Sequence, residues 1–315
     1  DEPAADLALL QAIADWCDRF TPLVALDEPH GLLLDISGCA HLFGGEAALM
    51  QSVCEGLSRQ GFAVSAAIAA TACCARALRR IRHGDIVSDG GEARAVAALP
   101  VFALGADEAV IRALRRAGLK TIGEVAARPP SEITARFSAG FTALLDETRG
   151  LSDAPISPRR PLPAYIAEKR FPEPIATDEA ILAALASLAD TLAVAMERQG
   201  KGVRHLEARF FRTDGLVRAL TVEMAQPVTQ PRVMIRLFRE RLDALADPLD
   251  PGFGFDLLRL SALAVETVVQ EQCDLDSRVH DRDDVAALID RIAARIGGRR
   301  IVVHLPHDTH IPEHA

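Results

Sequence analysis

The chain has 315 residues, of which 49% are hydrophobic and 25% are charged, an ordinary balance for a globular protein of two or three domains. Its formal net charge of −9 argues against tight nucleic-acid binding through a general excess of Lys and Arg, because phosphate neutralisation supplies most of that kind of affinity. No basic-then-apolar signal sequence opens the chain and no apolar run approaches the ~20 residues that span a bilayer, so we expect a cytoplasmic protein.

The first region, residues 1–95, alternates helical and extended patterns. Apolar residues recur at three-residue steps along 4–20, which predicts an amphipathic helix. Further helices are predicted near 46–59 and 72–82, and strands at 23–26, 32–36 and 62–67. Such alternation favours a mixed sheet covered by helices.

The second region, residues 96–155, reads as helical throughout. A helix is predicted over 107–116 and a tight turn over 117–119. Thr121 opens the next helix, and Glu124 three residues later completes a capping-box pattern. Residues 157–163 then read SPRRPLP, and their three prolines exclude helix and stiffen the chain. We therefore predict an interdomain linker over 156–167.

The third region, residues 168–305, reads strand, helix, strand, strand, helix, strand, with a further helix and strand after them. Thr177 is a good N-cap for its first helix. Strands 203–212 and 216–224 meet through a Thr-Asp-Gly turn, which is a strong hairpin signal. The remaining predictions are a helix over 232–245, a strand over 256–266 and a tail over 306–315.

Two helices of this region have clear apolar faces. The first is predicted to bury Ile181, Leu185, Leu188 and Leu192. The last is predicted to turn Val285, Leu288, Ile289 and Ile292 inward.

Residues 32–38 read LLLDISG, and residues 38–46 continue GCAHLFGGE. These words resemble the palm-domain signature of Y-family (translesion) DNA polymerases. The order of the three regions is similar to that family's palm, helix-hairpin-helix thumb and little finger. The chain is most similar to the ImuB-type members, which are catalytically inactive polymerase-like proteins of bacterial DNA-damage mutagenesis. Further matching words are AGLKTIG at 117–123, EKRFPEPI at 168–175 and HIPE at 310–313.

The resemblance implies an α+β multidomain fold with a partial palm at 1–95, a helical thumb at 96–155 and a βαββαβ little finger at 168–305. It also places an Asp-Glu pair five and four residues before the signature Asp. Counting back from Asp35, those positions hold His30 and Gly31. The family's first metal-binding Asp would lie on a strand upstream of this chain.

Polymerase chemistry of this type needs two divalent ions held by carboxylate oxygens. His30 and Gly31 cannot supply those oxygens. Asp27 and Glu28 come three residues too early, which in a strand displaces a side chain by ~10 Å and reverses its face. Their surroundings have turn composition. Asp35 is expected to cap a neighbouring turn at the end of its strand.

The thumb-like hairpin is a candidate DNA contact. Helix-hairpin-helix units present backbone N–H groups to phosphate, a contact that reads no base sequence. The predicted contact residues are Arg115, Arg116, Gly118, Lys120 and Gly123. The alternative is an ordinary helical hairpin with a solvated basic face.

The little-finger-like sheet is a second candidate. Its basic residues lie on or beside the predicted hairpin and on a possible neighbouring strand: Lys169, Arg170, Arg204, Arg209, Arg212 and Arg218. Glu207 and Asp214 interleave with them, so we expect weak, salt-sensitive binding.

Residues 272–276 read QCDLD and resemble the Gln-x-(Asp/Ser)-Leu-Phe peptides that dock on the bacterial sliding clamp. Gln272, Asp274 and Leu275 match, whereas Asp276 replaces the aromatic anchor. The alternative is a plain surface loop.

Six histidines invite a metal hypothesis, namely His205, His280, His304, His307, His310 and His314. No acid or Cys completes a recognisable ligand set with them, so we predict no metal site and no cofactor.

The resemblance favours a non-catalytic scaffold of DNA-damage tolerance and induced mutagenesis. Its implied partners are DNA, the sliding clamp, an error-prone replicative-type polymerase and a RecA-like accessory protein. Two alternatives stay open: an active Y-family polymerase with further ligands upstream of this chain, and an architectural protein without DNA contact.

Overall fold

A computed structural model describes residues 2–268 and 278–302. The chain divides into two compact units, Asp1–Arg160 and Pro161–Ala315, each with a hydrophobic core of its own. The division falls inside the predicted linker 156–167.

The first unit is mainly helical. Its elements are α1 (Pro3–Cys17), β1 (Val24–Asp27), β2 (Gly31–Leu34), α2 (Glu46–Arg59), α3 (Ala72–Arg79), α4 (Glu92–Val96), α5 (Glu108–Arg116), α6 (Ile122–Ala126), α7 (Pro130–Phe137) and α8 (Ala139–Thr148). Strands β1 and β2 form an antiparallel hairpin in which Asp27 lies opposite Gly31. The predicted capping box is confirmed, because Thr121 accepts from the backbone of Glu124 while the Glu124 side chain accepts from the backbone of Thr121.

The strand predicted over 62–67 is wrong. The adjoining segment makes one isolated bridge, Ile68 to Ile86, and no ladder. The backbone of Ala66, within the predicted strand, bonds to the loop around residue 84. Its N–H donates to His83 Nδ1, and its carbonyl accepts from the N–H of Gly84. These contacts hold the segment extended without a partner strand.

A buried cluster of the first unit extends across the predicted boundary between its two subregions. Cys74 and Leu78 of α3 belong to the same buried cluster as Leu114 and Ile122 of the thumb-like hairpin. The predicted division between residues 95 and 96 is therefore not a division between separate cores.

The start of the predicted linker is fastened to the first unit. The backbone N–H of Arg159 donates to the carbonyl of Val24 at 2.9 Å. Its guanidinium donates to Asp15 and Asp18, at 2.7 Å each. Because these three anchors lie on α1, directly after its last residue and on β1, residues up to 159 belong to the folded first unit.

The second unit confirms the predicted βαββαβ order. Its elements are β3 (Tyr165–Ile175), α9 (Asp178–Glu197), β4 (Lys201–Arg212), β5 (Val217–Val228), α10 (Pro231–Asp243), β6 (Phe255–Thr267) and α11 (Arg278–Ile296). The sheet order is β3-β6-β4-β5, and each neighbouring pair is antiparallel. Strand β6 therefore lies between β3 and the β4–β5 hairpin, so the strand that carries Lys169 and Arg170, a possible neighbour of the hairpin in the sequence analysis, does not pair with it.

Helix α9 supplies much of the second unit's core. Ile181, Leu185, Leu188 and Leu192 are buried, as predicted. By length and composition alone, this helix is long and apolar enough to cross a membrane. Its core-facing residues pack against the sheet, and this packing accounts for its apolar character.

The prediction for the last helix is wrong in its orientation. Asp290 and Ala294 are buried, whereas Val285, Leu288 and Ile292 are exposed and Ile289 is half-buried. The helix therefore presents its small residues to β5 and its large apolar residues outward.

Candidate functional site

The turn between β1 and β2 contains positions 30 and 31, where the sequence resemblance predicted an Asp-Glu pair. His30 is exposed in this turn, and Gly31 is the first residue of β2. A Cβ at Gly31 would lie 2.9 Å from the carbonyl oxygen of Asp27 and 3.1 Å from its side chain. The backbone here has no room for a carboxylate side chain unless the turn shifts.

Two of the three acids near this turn, Asp27 and Asp35, have partners within the molecule. Asp27 forms an ion pair with Arg76 of α3 at 2.9 Å. Asp35 Oδ1 accepts from the backbone N–H of Ser37 at 2.9 Å, which is the turn-capping role expected from the sequence. Glu28 is exposed in the turn. The side chains at this hairpin do not fit a two-metal centre, and within residues 2–268 and 278–302 no group of three or more His, Cys, Asp or Glu side chains could hold a metal ion.

A cavity of about 270 Å³ lies beside the hairpin. Its lining includes Leu33 of β2, Cys73 and Arg76 of α3, and Glu147 of α8. The Cys73 thiol donates to Glu147 Oε2 at 3.1 Å. Burial, and then this carboxylate, raise the pKa of Cys73 to about 11, so the thiol is protonated at neutral pH and is a poor nucleophile.

The thumb-like hairpin has committed its backbone donors. The N–H groups of Lys120 and Thr121 both donate to the Glu124 carboxylate, at 2.5 and 3.0 Å. The N–H of Gly118 donates to the backbone carbonyl of Arg115, and the N–H of Gly123 donates to the backbone carbonyl of Ala97. Each of these backbone N–H groups already has an acceptor within the protein, so the expectation that they are available to bind phosphate is wrong.

Gly123 has a packing role at this hairpin. A Cβ there would lie 2.9 Å from the carbonyl oxygen of Ala97, so the residue allows two backbone segments to approach closely. Gly118 has φ +81°, which suits the tight turn.

The cationic side chains of the hairpin do face solvent. Arg115, Arg116 and Lys120 are exposed, and the Arg115 guanidinium also lies 5.8 Å from the ring centroid of Phe102. The pKa of Glu124 is held below its usual value, chiefly by the backbone N–H groups of Lys120 and Thr121, so one negative charge stands beside these cations. Arg128 is a further exposed cation that the sequence analysis missed.

Two of the predicted contacts in the second unit serve the fold. Arg209 is only 5% exposed and pairs with Glu207 at 2.5 Å. Arg212 bridges Asp214 on the hairpin turn and Asp250 on the loop before β6. The prediction that Arg209 is a surface contact is therefore wrong. Arg212 connects the hairpin turn to the loop before β6 through its two ion pairs.

A buried arginine that the sequence analysis missed lies next to Arg209. Arg259 of β6 is directly opposite Arg209 in the register, is 5% exposed, and pairs with Glu168 of β3. Both arginines alternate with core residues of their strands, so they point to the sheet face away from that core. An Arg inside the apolar run LLRLSAL was the available signal.

The other predicted contacts remain on the surface of the second unit. Lys169 and Arg170 are exposed on edge strand β3, and Arg218 is exposed on the opposite edge strand β5. Arg204 is half-buried, and its Nη1 donates to the carbonyl of Ala225 at 2.6 Å. Gln272, Asp274 and Leu275, and the four histidines from His304 onward, lie outside the described residues.

The chain is similar to known proteins over nearly its whole length. Residues 163–275 match the impB/mucB/samB family C-terminal domain. The chain is 36% identical over 315 residues to Protein ImuB of Caulobacter vibrioides, an alignment that covers 99% of this chain and 68% of that protein. It is 26% identical over 269 residues to DNA polymerase IV of Alkalilimnicola ehrlichii, covering 81% of this chain and 72% of the relative.

Solved structures that resemble the chain include DinB from Sulfolobus solfataricus. That comparison has a TM-score of 0.44 at 12% identity and covers 85% of this chain and 79% of DinB. An insertion ternary complex of Dbh DNA polymerase gives a TM-score of 0.43 at 12% identity, covering 85% of this chain and 78% of that one.

Proposed function

The chain belongs to the ImuB family of Y-family DNA-polymerase-like proteins, and from this premise we propose that it is a non-catalytic scaffold of DNA-damage tolerance and induced mutagenesis. The observation that carries the proposal is the contact between Gly31 and Asp27. Where the polymerase signature requires a carboxylate, this turn is closed around a glycine.

The neighbouring charges support the same proposal. Asp27 neutralises Arg76, and Asp35 caps the turn at Ser37. Two-metal catalysis would require these carboxylates to be turned toward a shared pair of ions ~3.5–4 Å apart. Each of them stabilises the local fold instead.

Primer extension tests the absence of catalysis. The full-length protein is incubated with a primed template, four nucleotides and Mg²⁺ or Mn²⁺, beside a DNA polymerase IV as positive control. We expect no extension above background. Steady extension would overturn the scaffold proposal and favour the alternative, an active polymerase with ligands outside this chain.

DNA binding in this proposal is weak and depends on side chains. The exposed cations are Arg115, Arg116 and Lys120 in the first unit and Lys169, Arg170 and Arg218 in the second. Because only a few cations oppose a net charge of −9, the affinity should be low already at about 50 mM salt and should fall further toward about 200 mM, with a slope set by the number of phosphates that are neutralised.

Fluorescence anisotropy with a labelled primer-template measures this contact. R115A/R116A/K120A should lower the affinity by roughly tenfold at low salt and flatten the salt dependence. The matched control R59A/R94A/R198A removes three exposed arginines that lie outside the predicted contact set. If both variants lose the same amount of affinity, DNA binding depends on overall positive charge and not on Arg115, Arg116 and Lys120 in particular. If the protein causes no mobility shift of DNA even at low salt, an architectural protein without DNA contact is favoured.

Recruitment is the remaining part of the proposal. Residues 272–276 would dock on the sliding clamp, and the protein would act in the cytoplasm with an error-prone replicative-type polymerase and a RecA-like accessory protein. Q272A/L275A should abolish clamp binding in surface plasmon resonance. Unchanged affinity in this double variant would remove the clamp peptide from the proposal.

A further inference from the structure

Helix α11 presents a stripe of large apolar side chains to solvent. Val285, Leu288, Ile292 and Ile296 are 56%, 53%, 40% and 46% exposed. Their spacing of three and four residues places them along one side of the helix. These four residues are termed the α11 stripe. A continuous apolar row of this kind marks an interaction site more often than scattered apolar residues do.

The opposite face of α11 fixes the helix in this orientation. Asp290 is buried there, and its Oδ1 accepts from the backbone N–H of Ala225 on β5 at 2.6 Å. Ala294 is also buried on this face. Rolling the helix to bury the stripe would break the bond to Ala225 and move large side chains into space that alanine now fills.

The stripe has a basic border. Arg291 and Arg295 lie one helical turn from Leu288 and Ile292, and both are about half exposed. Their Nε atoms donate to Glu240 of α10, at 3.1 and 2.5 Å, which anchors the two guanidinium groups beside the stripe.

Helix α10 adds further positive charge. This helix and residues 284–296 together contain six arginines and four carboxylates, and one of those carboxylates is the buried Asp290. These two helical segments therefore carry an excess of positive charge, whereas the chain as a whole has a net charge of −9.

We propose that the α11 stripe is the docking site for an acidic amphipathic helix of a protein partner. Three- and four-residue spacing is the pattern by which helices pair along an apolar seam. Arginines bordering such a seam select a partner helix with carboxylates in the flanking positions. The site extends the proposed scaffold function, from which it takes only the existence of protein partners.

The test uses a designed, fluorescein-labelled peptide of four heptads with Leu at the a and d positions and Glu at e and g. Anisotropy should rise when the full-length protein is added, and circular dichroism should show the peptide becoming helical. L288D/I292D should weaken binding by roughly tenfold or more, as expected when apolar anchors become charged. A peptide with Lys at e and g should bind roughly tenfold more weakly than the Glu peptide.

Val194→Asp is the matched control, because Val194 is 50% exposed on α9 of the same unit. It should leave binding of the Glu peptide unchanged. Equal binding of the Glu and Lys peptides, or equal binding by L288D/I292D and the unaltered chain, would overturn the proposal.

Two further measurements identify competing occupants. Light scattering after size exclusion reports a dimer that L288D/I292D dissociates if a second copy covers the stripe. Co-sedimentation with phosphatidylglycerol vesicles reports a lipid surface. Either result, without Glu-peptide binding, overturns the proposal. Primer extension and DNA binding do not involve the stripe, so the scaffold function and this docking site can fail independently.

Discussion

Asp27 and Asp35 at the β1–β2 hairpin have partners within the molecule, whereas large apolar side chains along α11 are exposed to solvent. Asp27 and Asp35 could bind an external ligand only by giving up contacts that stabilise the turn. A partner could cover the α11 stripe without breaking any contact that these four side chains use to stabilise the fold. The comparison teaches that Asp27 and Asp35 have structural roles at the hairpin, whereas the exposed apolar surface lies toward the other end of the chain.

The largest expected effect tests the orientation of α11. Ala294→Asp places a charge at a position that is 3% exposed, so it should cost roughly 3 kcal/mol of unfolding free energy or more. Val285→Asp changes an exposed position and should stay within about 0.5 kcal/mol. Thermal unfolding followed by circular dichroism measures both. The reverse order would show that the stripe faces the core.

The next effect concerns the closed turn at Gly31. Gly31→Glu forces a Cβ against the carbonyl oxygen of Asp27, which should cost about 1–3 kcal/mol. His30→Asp alters an exposed side chain and should be close to neutral. The double variant restores the family's acidic pair in composition, yet primer extension should stay at background. Activity in that variant would show that the turn can reopen around a metal centre.

A smaller effect tests whether the thumb-like hairpin uses its amides for itself. Glu124→Ala removes the acceptor of the Lys120 and Thr121 N–H groups and should lower the melting temperature less than Gly31→Glu does. The pKa of Glu124 is lowered in the folded state, so its stabilising contribution is present above the usual pKa of Glu. The difference from the unaltered chain should therefore vanish as pH falls through the lowered pKa.

Glu124→Gln is the control for charge at this hairpin. Both variants lose one negative charge, so both should raise DNA affinity to the same small extent. A larger gain for Glu124→Ala in the anisotropy assay would show that freed amides reach phosphate, contrary to the side-chain contact proposed above.

The smallest effect is a pH dependence at Asp290. Burial raises the pKa of this carboxyl, so the folded state holds the proton more readily than the unfolded state does. Stability is therefore lost as pH rises from the usual pKa of Asp through the raised one. Asp290→Asn keeps an oxygen for the Ala225 N–H and should melt slightly higher than the unaltered chain at about pH 8, with the gain narrowing toward about pH 4. A constant difference across that range would show that ionisation of Asp290 is not its source.

Patterns that act within one element were predictable from the sequence. The Thr121–Glu124 capping box, the Thr177 N-cap and the apolar face of α9 all appear as expected. Each depends on neighbours within one or two helical turns, so local periodicity and hydrogen bonding determine it.

The face that a helix buries depends on the segments that pack against it, and for the last helix this face was not predictable from the local sequence pattern. The last helix has two faces able to pack, one of large apolar residues and one of small residues with Asp290. A single sequence favours the first because burial of large side chains contributes most. The acceptor site of Asp290 is the Ala225 N–H on a distant strand, so periodicity cannot show it.

The candidate site divides in the same manner. The absence of acids at positions 30 and 31 is visible in the sequence, and so is the family resemblance. That Arg209 is buried against Glu207, and that the amides of Lys120 and Thr121 already have an acceptor, needed the folded chain. Exposure of a cation and occupancy of a donor are properties of three-dimensional neighbours.

By itself, the sequence determined the βαββαβ order of the second unit, the helical character of residues 107–148, the turn composition around His30 and the membership of a polymerase-like family. Only the tertiary structure decided that the turn is closed around Gly31, that β6 separates β3 from the β4–β5 hairpin, and that α11 turns its apolar stripe outward. The physical reason is range: helix and turn signals arise from residues a few positions apart, whereas steric room, strand order and the choice of buried face are set by contacts between segments distant in the chain.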